Sequence, residues 1–265
     1  MPFHQFGALR YYTLDSFDQH GLIHGFFTRH GGISPAPWAS LNQGGTNGDA
    51  RPNVVENRRR MFEVFDLPVE SIFDSWQVHG REVLAADQPR KLDAPHQKAD
   101  AILTDRKEIT LVMRFADCVP ILLFDPVKQA TGIVHAGWQG TVQRAAAAAV
   151  EAMHSRYGSR PADILAGIGP SICVKHYEIS RGPEVIDAVR QTFGGNADTV
   201  LSRLNGSVHL DLWKANRIVL EGCGVRQIEM TGLCTACHNE DWFSHRAEKG
   251  KTGRYGVLLS MRNLK

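Results

Sequence analysis

No apolar run in this sequence approaches the roughly 20 residues that cross a bilayer, so no membrane-spanning helix is expected. Net charge is also nearly absent, at +2, which removes any bulk electrostatic case for binding nucleic acid or an anionic membrane surface. The first residues, MPFHQFGALRYYTLDSFDQHG, contain no basic stretch followed by an apolar one. No export signal is read there, and a cytoplasmic protein is expected. Cysteine is scarce and odd in number: Cys118, Cys173, Cys223, Cys234 and Cys237. Five reduced thiols fit that compartment better than a disulfide framework. Two further patterns are missing. There is no His-x-His pair among the 12 histidines, and no second C-x-x-C accompanies Cys234–Cys237.

What is present is an ordinary globular composition, 43% apolar over 265 residues, enough for a substantial core. The stretch from Gly21 to Asp49 is dense in Gly, Pro, Ser and Asn and reads as long ordered loops, a common place for function. Residues 51–65 read as a helix with Asp49 near its cap and Pro52 in its first turn. Residues 141–157 read as a second, containing the alanine run 145–149 and ended by Gly158; 183–193 and 211–220 read as two more. Strands are expected at 99–103, 109–115, 121–124, 131–135, 163–168, 227–231 and 255–260. Helices and hairpins alternate without regular βαβ spacing. This predicts an α+β fold with mixed sheets, residues 1–265 forming one domain.

Three residues carry the strongest chemical signal: His79 in WQVHG, Cys118 in FADCVPILLFDP and His135 in GIVHAGWQGT. Two imidazoles and a thiolate could hold zinc and leave a fourth position open. The apolar runs 120–124 and 130–134 flank Asp125-Pro126, a turn signal. Pairing them antiparallel sets Phe124 near Ala130 and Cys118 opposite Ala136, one residue from His135. Cys118 and His135 then share the open end of one hairpin, as joint metal ligands or as a Cys–His dyad. His79 must arrive from elsewhere.

Beyond His135, Gly137-Trp138-Gln139-Gly140-Thr141 leads into a helix whose free amides could receive an anion. Cys234-Thr-Ala-Cys237-His238 matches a haem-attachment pattern and partly mimics a zinc deaminase, but in the wrong order and without further ligands. It is read as ordinary structural cysteines near the site. Arg58-Arg59-Arg60 is read as the solvated face of its helix.

Many blocks in order resemble one family along nearly the whole chain: HGFFTRHGGIS (24–34), SLNQGG (40–45), NGDARPNVVENRRR (47–60), WQVHG (76–80), ADCVPILLFDP (116–126), VHAGWQGT (134–141), GIGPSICVKHYEI (167–179), LDLWKANRIVL (210–220) and CTAC, WFSHR and TGRYG within 234–256. The resemblance is to the YfiH-type laccase-domain family, also called polyphenol oxidase or peptidoglycan editing factor. It implies a single-domain α-β-β-α layered sandwich and Zn2+ on His79, Cys118 and His135, with Cu2+ as the other candidate ion. It further implies phosphorolysis of adenosine, inosine and methylthioadenosine, with adenosine deamination as a side activity. Purine nucleosides and phosphate would be the partners of a monomer or homodimer. The chain departs from the family pattern at Gln139, where arginine is usual, and at His245-Arg246-Ala247, where Tyr-Arg-Arg is usual.

In that scheme Cys118, His135 and Asp117 are the catalytic candidates, Asp117 as proton shuttle. Substrate-binding candidates are Arg29, Ser40, Asn42, Arg58, Gln77, Trp138, Gly140, Thr141 and Arg246. Arg29 and Arg58 would hold the anion, Ser40 and Asn42 would bond ribose or base, and Trp138 would stack on the purine. Two rival activities are a metal-free Cys118/His135 amidase acting in peptidoglycan editing and a copper polyphenol oxidase. The second is disfavoured, because a trinuclear copper cluster needs His-x-His pairs. A binding protein that scavenges nucleosides or metal ions is a third alternative.

Overall fold

The structure is a computed structural model describing residues 3–180 and 182–261. Its strands are β1 (Phe3–Phe6), β2 (Leu9–Tyr12), β3 (Ile23–Phe27), β4 (Ile72–Phe73), β5 (Val83–Ala85), β6 (Ala101–Thr104), β7 (Thr110–Phe115), β8 (Val119–Asp125), β9 (Ala130–Ala136), β10 (Leu165–Ile168), β11 (Leu201–Leu204), β12 (Ser207–Leu210), β13 (Gln227–Met230) and β14 (Tyr255–Ser260). The helices are α1 (Asp15–Asp18), α2 (Arg51–Glu63), α3 (Trp138–Val142), α4 (Ala145–Tyr157), α5 (Pro183–Phe193), α6 (Ala197–Val200) and α7 (Leu212–Gly222). None is long and apolar enough to cross a membrane.

Two six-stranded mixed sheets make the body, in the orders β1-β2-β3-β14-β7-β4 and β13-β10-β8-β9-β6-β5. Parallel strand pairs lie at their edges: β4 with β7, β5 with β6, and β10 with β13. The sheets meet through one apolar layer in which Phe26, Leu111, Met113 and Val257 of the first pack with Ile102, Leu122, Phe124 and Ile133 of the second. Met61 and Phe62 of α2 cover the first sheet's other face. The second sheet's outer face is covered by α4, α5 and α7, whose Ala145, Ala149, Met153, Val189, Ala215 and Val219 join Val119, Ile121, Leu123 and Val134. Both faces of the central strands are therefore buried, which is why β8 and β9 read as continuous apolar runs instead of alternating ones. The result is the expected α-β-β-α sandwich, an α+β fold.

Local chemistry departs from the sequence expectations in four places. The β8–β9 register is shifted by one residue: Phe124 faces Thr131, Asp125 faces Ala130 and Val119 faces Ala136. Asp125 extends the strand because its Oδ1 accepts the amides of Val127 and Lys128 at 2.8 and 3.0 Å, closing a tight turn. The helix expected over 141–157 is broken into α3 and α4 at Arg144, which takes left-handed φ 60°. Thr192 Oγ1 donates to the Val142 carbonyl at 3.0 Å, competing for the acceptor a continuous helix would use. The loop-rich segment after Gly21 begins with β3, a fully buried central strand. Finally, Arg58 is not on a solvated face. It lies 3.9 Å from the buried Asp74, whose carboxylate also receives Arg90, Arg114 and His96.

Candidate metal centre

His79, Cys118 and His135 converge, with one ligand atom from each lying within 4.8 Å of the other two. Cys118 directly precedes β8 and His135 lies near the end of β9, so the hairpin sets both at one end of the sheet. His79 comes from the loop between β4 and β5, and its ring meets that of His135 at 4.9 Å between centroids. The exposures are graded: His135 is buried, Cys118 half-buried and His79 exposed. The group therefore has one open side.

Asp100, at the start of β6, organises two of the three. Its Oδ1 contacts His135 Nδ1 at 2.7 Å, which turns Nε2 toward the site. The same carboxylate accepts three consecutive amides, from Val78 at 3.1 Å, His79 at 2.9 Å and Gly80 at 2.6 Å. That grip holds His79 at φ 61°, a region disfavoured for residues with a Cβ. Asp117 adopts φ 80° beside Cys118. Its carboxylate is anchored by Thr235 Oγ1 at 2.7 Å and by the Arg246 amide at 2.6 Å.

Gly137 completes the site by having no side chain. A Cβ there would stand 2.8 Å from Cys118 Sγ and 3.2 Å from His79 Cδ2. Gly140 similarly lets α3 settle between the carbonyls of His135 and Gly80, 3.2 and 3.3 Å from where its Cβ would be. Burial alone would push the Cys118 thiol up, but the His135 charge and hydrogen bonds from both histidines bring it down to about 6. Burial pulls His135 down, yet the Cys118 thiolate and the Asp100 hydrogen bond raise it to about 9. A thiolate and two imidazoles around an open side, with glycine kept out of the way, fit a borderline-soft divalent ion with a fourth position free.

The other sequence candidates have the following settings. Arg29 donates to the carbonyls of Ala39 and Asn239 and to Glu248, and stacks on Phe243 at 4.6 Å. Ser40 Oγ donates to the Arg29 carbonyl and accepts the Gly32 amide. Asn42 is buried, its amide spent on Gly44, Asn47, Asp49 and Arg254. These three build the scaffold of the 28–50 loops. Gln77 bridges the backbone of Arg114 in both directions, at 2.7 and 2.9 Å. Trp138 packs against the helical-layer core, while Trp76, three residues before His79 in the chain, is 53% exposed. Thr141 accepts from Asn216, and its own amide bonds the Gly137 carbonyl. With only five residues, α3 offers a weaker dipole to an anion than the longer helix expected. Arg246 donates to the Glu178 carbonyl at 2.8 Å and lies 4.9 Å from the Tyr177 ring centre.

Sequence reasoning missed Asp100, Gly137 as a steric gap, Phe115 packed 5.4 Å from the His135 ring, and Arg254, whose charge reaches Cys118 and Asp117. A lone carboxylate inside the apolar stretch Ala99–Leu103 was the available signal for Asp100.

A family model described as multi-copper polyphenol oxidoreductase laccase matches residues 23–262. Purine nucleoside phosphorylase YlmD of Bacillus subtilis is 36% identical over 250 residues, covering 91% of this chain and 89% of that protein. A purine nucleoside phosphorylase of Deinococcus radiodurans is 38% identical over 238 residues, covering 90% and 88%. The crystal structure of Bacillus licheniformis YfiH superposes with a TM-score of 0.90 at 32% identity, over 98% of this chain and 99% of that one.

Proposed function

The chain belongs to the YfiH-type laccase-domain family, and from that premise we propose that it is a zinc-dependent purine nucleoside phosphorylase. Its substrates would be adenosine, inosine and methylthioadenosine with phosphate, giving free base and ribose 1-phosphate, and adenosine deamination would be a side activity. Residues 1–265 would act as one cytoplasmic catalytic domain, as a monomer or homodimer. The observation that carries the reading is the open set of two nitrogen donors and one sulfur donor, from His79, His135 and Cys118, around Gly137, in a chain whose relatives bear the phosphorylase name.

Those three residues would hold the zinc, which when bound supplies a Lewis acid able to polarise a substrate oxygen or lower the pKa of water. Copper could occupy the same donors, but a single such site cannot gather the four electrons that reduce dioxygen to water. Asp100 keeps His135 in one tautomer and one orientation. Asp117, fixed by Thr235 and the Arg246 amide, is the group assigned to carry a proton between substrate and solvent. Arg246 and Arg254 would place positive charge near the phosphate. The exposed Trp76 offers an aromatic face for the base, a role for which the packed Trp138 is less free.

One observation favours a second reading. Cys118, His135 and Asp100 line up as nucleophile, base and orienting carboxylate, the arrangement a metal-free amidase acting in peptidoglycan editing would use. Such a dyad needs no second histidine, and His79 is then unexplained. A His135→Ala chain should lose both the zinc of this centre and nucleoside turnover. Retention of both would overturn the zinc scheme, and a zinc-free wild-type chain with amidase activity would favour the alternative.

A further inference from the structure

The function just described leaves a second set of metal-binding side chains unused. Cys173, His176, Cys234 and Cys237 each present one donor atom, all within 4.8 Å of one another. Sequence spacing hides the group, since Cys173 and Cys234 lie 61 residues apart. The parallel pairing of β10 with β13 brings them together, because the loops that follow both strands leave the same end of the sheet. Backbone hydrogen bonds then stitch the loops side by side: Ser171 N to Leu233 O at 3.1 Å and Thr235 N to Ser171 O at 3.2 Å. Each loop turns tightly between its two donors, with His176 N bonding Cys173 O at 3.1 Å and His238 N bonding Cys234 O at 3.0 Å.

The distances have the dimensions of a coordination shell. His176 Nδ1 lies 3.6, 3.9 and 3.5 Å from the sulfurs of Cys173, Cys234 and Cys237, and the Cys173 and Cys237 sulfurs are 4.0 Å apart. A tetrahedral zinc with ordinary Zn–S and Zn–N bonds sets S···S edges of about 3.8 Å and S···N edges of about 3.5 Å. One imidazole N–H can serve one sulfur, not three, so hydrogen bonding alone does not account for the arrangement. All three thiols are free. Cys234 Sγ also accepts the amides of Cys173 at 3.3 Å and Cys237 at 3.4 Å, the kind of outer support that metal-bound thiolates receive.

We propose that Cys173, His176, Cys234 and Cys237 form a closed zinc site of three thiolates and one imidazole, separate from the open centre at His79, Cys118 and His135. With four protein donors no position is left for substrate, so this metal is structural. It clips together the two loops that wall the open centre. Thr235 bonds the Asp117 carboxylate and Ile172 N bonds the Asp117 carbonyl at 3.0 Å, while Arg246 rests on the Glu178 carbonyl and Tyr177. The metal would thus hold the residue next to Cys118 without touching substrate.

Full-length chain purified from zinc-sufficient medium without chelator should contain about two zinc per chain. The His135→Ala and Cys237→Ser chains should each contain about one, and Cys237→Ser should also unfold at lower temperature. Cobalt loaded into the His135→Ala chain should show the thiolate-to-cobalt absorption of three sulfurs, which reads the site even if Cys237→Ser does not fold. A zinc content that Cys237→Ser leaves unchanged, a cobalt spectrum with fewer than three thiolates, or a Cys173–Cys237 disulfide in freshly isolated protein would each overturn the proposal.

Discussion

Asp100 contacts His135 Nδ1 through Oδ1 at 2.7 Å, and the same oxygen accepts the backbone amide of His79 at 2.9 Å. One carboxylate oxygen therefore orients two of the three donors of the open centre. Asp100→Asn keeps the shape, but its amide cannot accept at both oxygens. The expected result is a drop in zinc affinity of about 10- to 100-fold, with nucleoside turnover falling alongside. A competition titration against a zinc-binding dye measures it, and unchanged affinity would mean that Asp100 serves only the loop.

Gly137→Ala is expected to remove activity with little loss of stability. Gly137 sits at φ −70°, a conformation alanine adopts freely, so the effect comes from the methyl placed 2.8 Å from Cys118 Sγ. Zinc content and melting temperature, measured together, separate the two effects. A large fall in melting temperature with zinc retained would contradict the steric account.

The trio was partly legible in the sequence. Apolar runs on either side of Asp125-Pro126 were enough to bring Cys118 to His135, because a hairpin is a local object whose ends are set by its turn. The register was missed by one residue, since Asp125 serves as both strand and turn cap. His79 and Asp100 were harder: Asp100 reaches His135 because β6 lies beside β9, a pairing of strands separated by β7 and β8, and His79 reaches Asp100 from the loop before β5, the strand on the other side of β6. The helix break at Arg144 depends on Thr192, about 50 residues away, and Arg58 looked like surface because its partner Asp74 is supplied by another segment.

Asp74 supplies a stability prediction. Burial would raise its carboxyl, but the hydrogen bond from His96 and the charges of Arg114 and Arg58 hold it far below the usual range. A depressed folded value gives stability that is present above the unfolded pKa of about 3.9 and is lost as pH falls toward the folded value. Asp74→Asn strands buried guanidinium groups and should cost about 3 kcal/mol near neutral pH. Urea unfolding at several pH values should show the gap between wild type and variant narrowing in strong acid. A gap independent of pH would contradict it.

Cys118 reactivity should depend on metal. In zinc-stripped protein its alkylation by iodoacetamide, mapped by mass spectrometry, should rise with pH through about 6, where the thiolate forms. Adding zinc should suppress it. Fast alkylation that zinc does not slow would support the metal-free dyad.

The most direct measurement of the central claim is phosphorus NMR, with proton NMR of the same sample to follow base and ribose, of the zinc-loaded chain incubated with inosine and phosphate. The account predicts hypoxanthine and ribose 1-phosphate in equal amounts, absent with His135→Ala and absent without phosphate. Intact inosine after prolonged incubation with a verified zinc-loaded chain, or hypoxanthine released with free ribose and no phosphate ester, would contradict it.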